Sequence, residues 1–216
     1  MGDSYSQDLY NAIREVGIDR RIDLIVRYMP VKCGTLFIEK SEILQIASLK
    51  DREFCNRRKS LIEDDELKEL LQTADFVFLA SSWRDEHVDH LNSSIKNLKD
   101  LTEAHIVIFG KKTLIPLVLG HAFLPVEERV SFTVNIAEKL VIQKKMISTE
   151  MDATYFDTQS IICDVDIIKN YDLCSPFDEN GMPKSYDGGH LTKHGAIYLG
   201  ERLNRKLSCI LFGECE

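Results

Sequence analysis

Apolar positions recur along the chain with two periods. Over residues 6–17 (SQDLYNAIREVG), Leu9, Ile13 and Val16 stand four and three apart, the stripe of an amphipathic helix, and Gly17 suits the position just past its end. Residues 22–29 (IDLIVRYM) alternate in part and stop at Pro30, which predicts a strand. Residues 61–72 predict a charged helix that turns Leu61, Leu67, Leu70 and Leu71 inward, its Glu63-Asp64-Asp65-Glu66 run being a solvated N-terminal turn favoured by the helix dipole. The unbroken apolar runs 75–82 (DFVFLASS) and 105–109 (HIVIF) predict strands buried on both faces. Between them, residues 86–102 carry Val88, Leu91, Ile95 and Leu98 on one helical stripe. A helix over 131–145 and a short strand over 153–157 follow. A closing helix over 193–207 carries Ala196, Ile197, Leu199, Leu203 and Leu207, with Thr192 as its N-cap.

Strands that alternate with helices of this length predict an α/β fold, a mostly parallel sheet with helices on both faces. Chemistry in such sheets gathers beyond the C-terminal ends of the strands. No repeat, low-complexity tract or Pro/Gly/Ser linker divides the 216 residues, so a single domain over 1–216 is expected.

Composition narrows the classes. With 44% hydrophobic and 29% charged residues the chain has material for a core, and no apolar run approaches the roughly 18 residues of a membrane span. A net charge of -8 argues against general binding to nucleic acid. Residues 1–5 (MGDSY) lack the basic and apolar regions of a signal peptide. The six cysteines form no C-x-x-C, and buried thiols or disulfides both fit their count. Neither nucleotide-binding glycine motif occurs, and no cofactor is expected. His190 and His194 are four apart, but no H-E-x-x-H is present and their spacing bridges a loop and a helix, so no metal site is expected.

Two segments hold the candidate chemistry. Gly2-Asp3-Ser4 precedes the first helix, and Tyr186-Asp187-Gly188-Gly189-His190 precedes the last. Taken singly, Ser4 reads as a helix cap and Asp187 with His190 as a polar loop. Taken together they supply a nucleophile, a base and an orienting acid. A serine hydroxyl needs a neighbouring base to take its proton, histidine serves at neutral pH, and a carboxylate fixes the tautomer of that histidine. Ser4 would be the nucleophile, His190 the base and Asp187 the orienting group. A serine at a helix start also lies in a field that favours a developing oxyanion. Gly188 and Gly189 allow the tight turn that brings the Asp187 carboxylate to the ring. Trp83, His87 and His90 follow the 75–82 strand, where a sugar could lie. Trp83 is the candidate stacking platform, with plain packing an equal reading, and the two histidines read most simply as a solvated helix start.

The pair Gly2-Asp3-Ser4 and Asp187-x-x-His190 resembles the first and last sequence blocks of SGNH hydrolases, the GDSL-type esterases. The stretch YDGGHLTKHGAIYLGERL further resembles the closing segment of SGNH domains fused behind acyltransferase-3 membrane proteins, which O-acetylate bacterial surface polysaccharides. The likeness runs from Gly2 to Ala196. It implies a three-layer α/β/α flavodoxin-like fold and acyl transfer to or from carbohydrate hydroxyls through an acyl-Ser4 intermediate. It also implies a membrane acyltransferase domain as partner and a periplasmic or extracellular location. The alternatives within it are a stand-alone carbohydrate esterase and a non-catalytic carbohydrate-binding module. In that family the nucleophile's own N–H, a glycine N–H and an asparagine of a G-x-N-D block form the oxyanion hole. Here Gly34 stands in the glycine position, and Ser81-Ser82-Trp83 replaces the asparagine block, so Ser4, Gly34 and Ser82 are the expected donors. In an oxidising location, Cys33–Cys55 and Cys163–Cys174 would pair. The serine block of this fold follows a first strand of about five or six residues. Only Met1 precedes Gly2, so a first strand that is missing or truncated by a cut or misplaced start is expected, which would also account for the lack of an export signal.

Overall fold

The computed structural model describes residues 1–117, 119–163 and 172–215. The helices are α1 (Ser4–Glu15), α2 (Lys40–Ile46), α3 (Arg52–Asn56), α4 (Asp65–Gln72), α5 (Asp85–Asp89), α6 (Leu91–Lys99), α7 (Leu119–Ala122), α8 (Val126–Ser131), α9 (Val141–Ser148), α10 (Thr158–Cys163) and α11 (Lys193–Phe212). The strands are β1 (Phe76–Ala80), β2 (His105–Phe109), β3 (Val134–Asn135), β4 (Thr154–Phe156) and β5 (Leu173–Cys174). The chain forms two compact units. One holds Met1–Ser6, Arg27–Lys111 and Ile142–Phe156; the other holds Gln7–Val26, Lys112–Val141 and Asp157–Glu216.

The first unit is built on a parallel sheet in the order β1-β2-β4. Both apolar runs fold as their lack of polar alternation predicts, with Leu79, Val107 and Ile108 fully buried. One sheet face carries Val77, Leu79, Ile106 and Ile108 into a core with Leu67 and Leu71 of α4 and Leu91, Ile95 and Leu98 of α6. Each such side chain contributes about 1.5–3 kcal/mol through burial. The alternate residues Phe78, Phe109 and Phe156 align their rings along the sheet, with centroids 5.5 and 5.2 Å apart. The helix expected over 86–102 is broken at His90 into α5 and α6. The one expected over 61–72 starts with a 3-10 turn whose Ser60 and Glu63 form a capping box, and Asp64 then caps α4 through the Leu67 N–H.

The strand expected over 22–29 reduces to one bridge at Tyr28. Gly2 bridges Tyr28 on one side and Ala80 of β1 on the other, both parallel. The Met1 carbonyl accepts the Ala80 N–H at 3.0 Å and the Gly2 carbonyl accepts the Met29 N–H at 2.6 Å. Gly2 has φ 152°, and a Cβ there would overlap the Ala80 carbonyl oxygen, so only glycine fits this approach.

In the second unit, α11 runs from Lys193, after its Thr192 cap, to Phe212, five residues beyond the expected end. The Thr192 Oγ1 accepts the Gly195 N–H at 3.0 Å, as predicted. Gly200 lets α11 meet the Ala12 carbonyl of α1. The helix expected over 131–145 is not continuous. Its first part forms β3, which pairs antiparallel with β5, and the Asn135 side chain accepts the Ala137 N–H at 2.9 Å. That local turn competes with helix, as short polar side chains often do. Cys33–Cys55 and Cys163–Cys174 are bonded as expected, and Cys209–Cys215 forms a third disulfide that the sequence reading did not pair. Among the described residues no helix is long and apolar enough to cross a membrane.

Candidate active site

Ser4 lies in the first unit, at the first position of α1. The capping role that sequence alone offered Ser4 belongs to Asp3. The Asp3 Oδ1 accepts the Tyr5 N–H at 2.9 Å, and its carbonyl accepts the Ser6 N–H at 3.0 Å. The second carboxylate oxygen of Asp3 accepts the Ser81 hydroxyl and the Ser82 N–H, each at 2.8 Å. Thr35 donates to the Ser81 oxygen at 3.3 Å. Asp3 is thus a buried clasp that fastens the serine turn to the residues leaving β1. The sequence reading passed over it, although its side chain meets two N–H groups and a hydroxyl.

The expected oxyanion donors fare unevenly. The Ser82 backbone N–H is committed to Asp3. The Gly34 N–H donates to the Val31 carbonyl at 3.3 Å within a turn that places Gly34 at φ 75°. A Cβ on Gly34 would come within 3.1 Å of His87 Nε2. Trp83, expected to stack on a sugar, is fully buried, and its indole N–H donates to the Phe109 carbonyl at 2.8 Å. That placement offers no ring face to a ligand; the sole tryptophan ties β1 to β2.

His87, expected at a solvated helix start, is 2% exposed, and its Nδ1 is buried without a hydrogen-bond partner. Burial lowers its pKa to about 4, with Arg84 adding to the effect, so the ring is neutral at pH 7. Lys111 is lowered too, by burial first and by Arg84 second. His90 meets Glu42 at 3.7 Å.

Asp187 and His190 lie together in the second unit. The Asp187 Oδ2 is 2.6 Å from His190 Nδ1, and its Oδ1 accepts the backbone N–H groups of Gly189 and His190 at 2.8 and 2.7 Å. Burial pushes the Asp187 carboxyl up, but the His190 N–H and ring and the Gly189 N–H outweigh it and bring it down to about 2. Asp187 is therefore ionised at neutral pH and anchored on both oxygens. Gly188 has φ 86°, and a Cβ there would press on Pro116 at 2.9 Å. The Tyr186 ring lies nearly parallel to the imidazole, 13° between planes at 5.8 Å.

A buried ion pair holds this loop. The Lys112 Nζ donates to Asp8 Oδ2 at 2.7 Å and to the Gly189 carbonyl at 2.6 Å, and Asp8 Oδ1 accepts the Leu191 N–H at 3.2 Å. Ser185 adds a second tie, donating to the His190 carbonyl at 2.6 Å and accepting the Gly188 N–H at 2.9 Å. Asp8 and Lys112 are separated by 104 residues, so no local pattern connects them.

The serine turn and the Asp–His loop carry the residue types of acyl transfer, each braced by its own buried carboxylate. A family model described as "SGNH domain (fused to AT3 domains)" matches residues 1–205. No curated protein and no solved structure matched the chain.

Proposed function

Because the chain belongs to the SGNH-domain family described as fused to AT3 domains, whose general role is hydrolysis or transfer at ester bonds, we propose that it moves an acetyl or similar acyl group to or from carbohydrate hydroxyls. Ser4 attacks the acyl carbonyl and His190 takes its proton. The tetrahedral intermediate collapses as His190 returns that proton to the leaving oxygen, leaving an acyl-Ser4 ester. A sugar hydroxyl, deprotonated by His190, then accepts the acyl group; water in its place gives hydrolysis. Asp187 holds the Nδ1–H of His190 and steadies the imidazolium.

The observation that carries this reading is the 2.6 Å Asp187–His190 contact, with the same carboxylate fixed by two backbone N–H groups. The imidazole of a working base needs such orientation. The family description, a fusion to AT3 domains, favours transfer with an acyltransferase domain as partner; a surface polysaccharide as acceptor is our extension of the sequence resemblance. Three disulfides fit a periplasmic or extracellular face.

One observation favours a second reading, a carbohydrate-binding module without catalysis. The backbone donors of Gly34 and Ser82 already serve Val31 and Asp3, and loss of one oxyanion donor costs about 10²–10³ in rate in a working enzyme. A serine-directed fluorophosphonate separates the readings. Labelling of the wild type at Ser4, lost in His190→Ala, supports acyl transfer; a wild type that stays unlabelled supports the binding module.

A further inference from the structure

We propose that Arg84 and Lys111, with His87 beside them, form a subsite for an anionic group, a carboxylate or phosphate, on the molecule whose ester Ser4 handles. This rests on the acyl-transfer reading. The residues leave one edge of the sheet. In the parallel register Ala80 of β1 stands opposite Phe109 of β2; Arg84 follows the first and Lys111 the second. The Trp83 N–H on the Phe109 carbonyl and the Ser82 N–H on Asp3 pin this corner beside the serine turn. It is the C-terminal edge of parallel strands, where ligands of α/β proteins gather.

The charge at this corner is not balanced by a bound carboxylate. Arg84 and Lys111 are half-buried and close enough to repel, yet neither side chain has an ion-pair or hydrogen-bond partner among the described residues. The nearby carboxylate of Asp3 is already occupied by Tyr5, Ser81 and Ser82. Glu86, the other acid that His87 senses, is exposed. Two other half-buried cations of this unit do hold carboxylates: Lys145 holds Asp85 and Asp89, and Arg27 holds Asp64 and Glu66. Two unmatched cations and a buried, unpartnered imidazole nitrogen make a polar corner that an arriving anion would complete. Arginine offers a planar fork suited to two anionic oxygens, and lysine a point charge.

The test compares sugars that differ only in the group at C6, one neutral and two anionic. Glucuronate, glucose 6-phosphate and glucose are titrated calorimetrically into the wild-type protein and into Arg84→Gln, Lys111→Gln and Arg84→Lys. The acetyl esters of the same three sugars are assayed for turnover. We expect the anionic ligands to bind more tightly than glucose. We expect either Gln variant to cut the charged-over-neutral preference in kcat/KM by about tenfold, the low end for a hydrogen bond to a charged group. Arg84→Lys should restore part of it. The carboxylate and phosphate arms identify which anion is read. Equal binding of all three by the wild type overturns the subsite. So does an equal kcat loss on charged and neutral esters, which would assign the two cations to the developing oxyanion instead. Glucuronate binding that needs Arg84, in a protein that turns over no ester, would keep the subsite and refute the acyl-transfer reading.

Discussion

Replacing Lys112 by Met tests how the Asp187–His190 loop is held. The Lys112 and Asp8 side chains are 3% and 8% exposed, and their charges meet at 2.7 Å. Met fills much of the same volume but leaves the Asp8 carboxylate buried with only the Leu191 N–H against its charge, and it strands the Gly189 carbonyl. Breaking one partner of a buried pair costs about 3–5 kcal/mol. For a chain of this size each kcal/mol shifts the melting point by about 2–4 °C, so the melting point should fall by roughly 6–20 °C. The double variant Asp8→Leu/Lys112→Met removes both charges and should recover most of that loss, because a well-packed apolar pair often matches a buried ion pair. Circular dichroism melts of the wild type, the single and the double variant provide the assay. A single variant that melts with the wild type, or a double variant worse than the single, would refute the argument that this pair is buried and coupled.

Two further outcomes follow from the same geometry. Asp187 is held at about 2 against an ordinary 3.8, so its bracing of the loop is fully present above pH 3.8 and is lost as pH falls through about 2. Chemical shifts of the Gly189 and His190 amides should therefore show a step below about pH 4 that is missing in Asp187→Asn. The Cys33–Cys55 bridge closes 22 residues, and a Cys33→Ser/Cys55→Ser double variant should lose about 3 kcal/mol in denaturant titration; no loss would mean that the unfolded chain is not constrained by it.

The legible parts of the fold are those set by a single local pattern. HIVIF became β2 residue for residue because an unbroken apolar run of that length suits only a strand covered on both faces. Thr192 capped α11 because its hydroxyl reaches the Gly195 N–H from the next turn. The run 22–29 misled because strand pairing depends on the neighbour, and of this run Tyr28 alone bridges one, at Gly2. The run 131–145 misled because Asn135 closes its own turn and β3 finds a partner 38 residues away, at Leu173–Cys174. Trp83 carried no sign of whether it would face solvent or core; the Phe109 carbonyl decided. At the site, Asp187 and His190 were legible because they lie within one loop. Asp3, Asp8 and Lys112 were not, since each acts through a residue distant in sequence or through a backbone group that no motif displays.

Acyl transfer by this chain requires that Ser4 form an acyl intermediate with His190 as its base. Hydrolysis of p-nitrophenyl acetate by the wild type and by Ser4→Ala tests it most directly, with acetylation of the Ser4 peptide read by mass spectrometry in the same reaction. Turnover by the wild type, an acetylated Ser4 peptide, and loss of both in Ser4→Ala are the expected result. Equal rates in the two proteins, with no acetyl group on Ser4, would contradict it and leave the serine as the first residue of a helix that Asp3 caps.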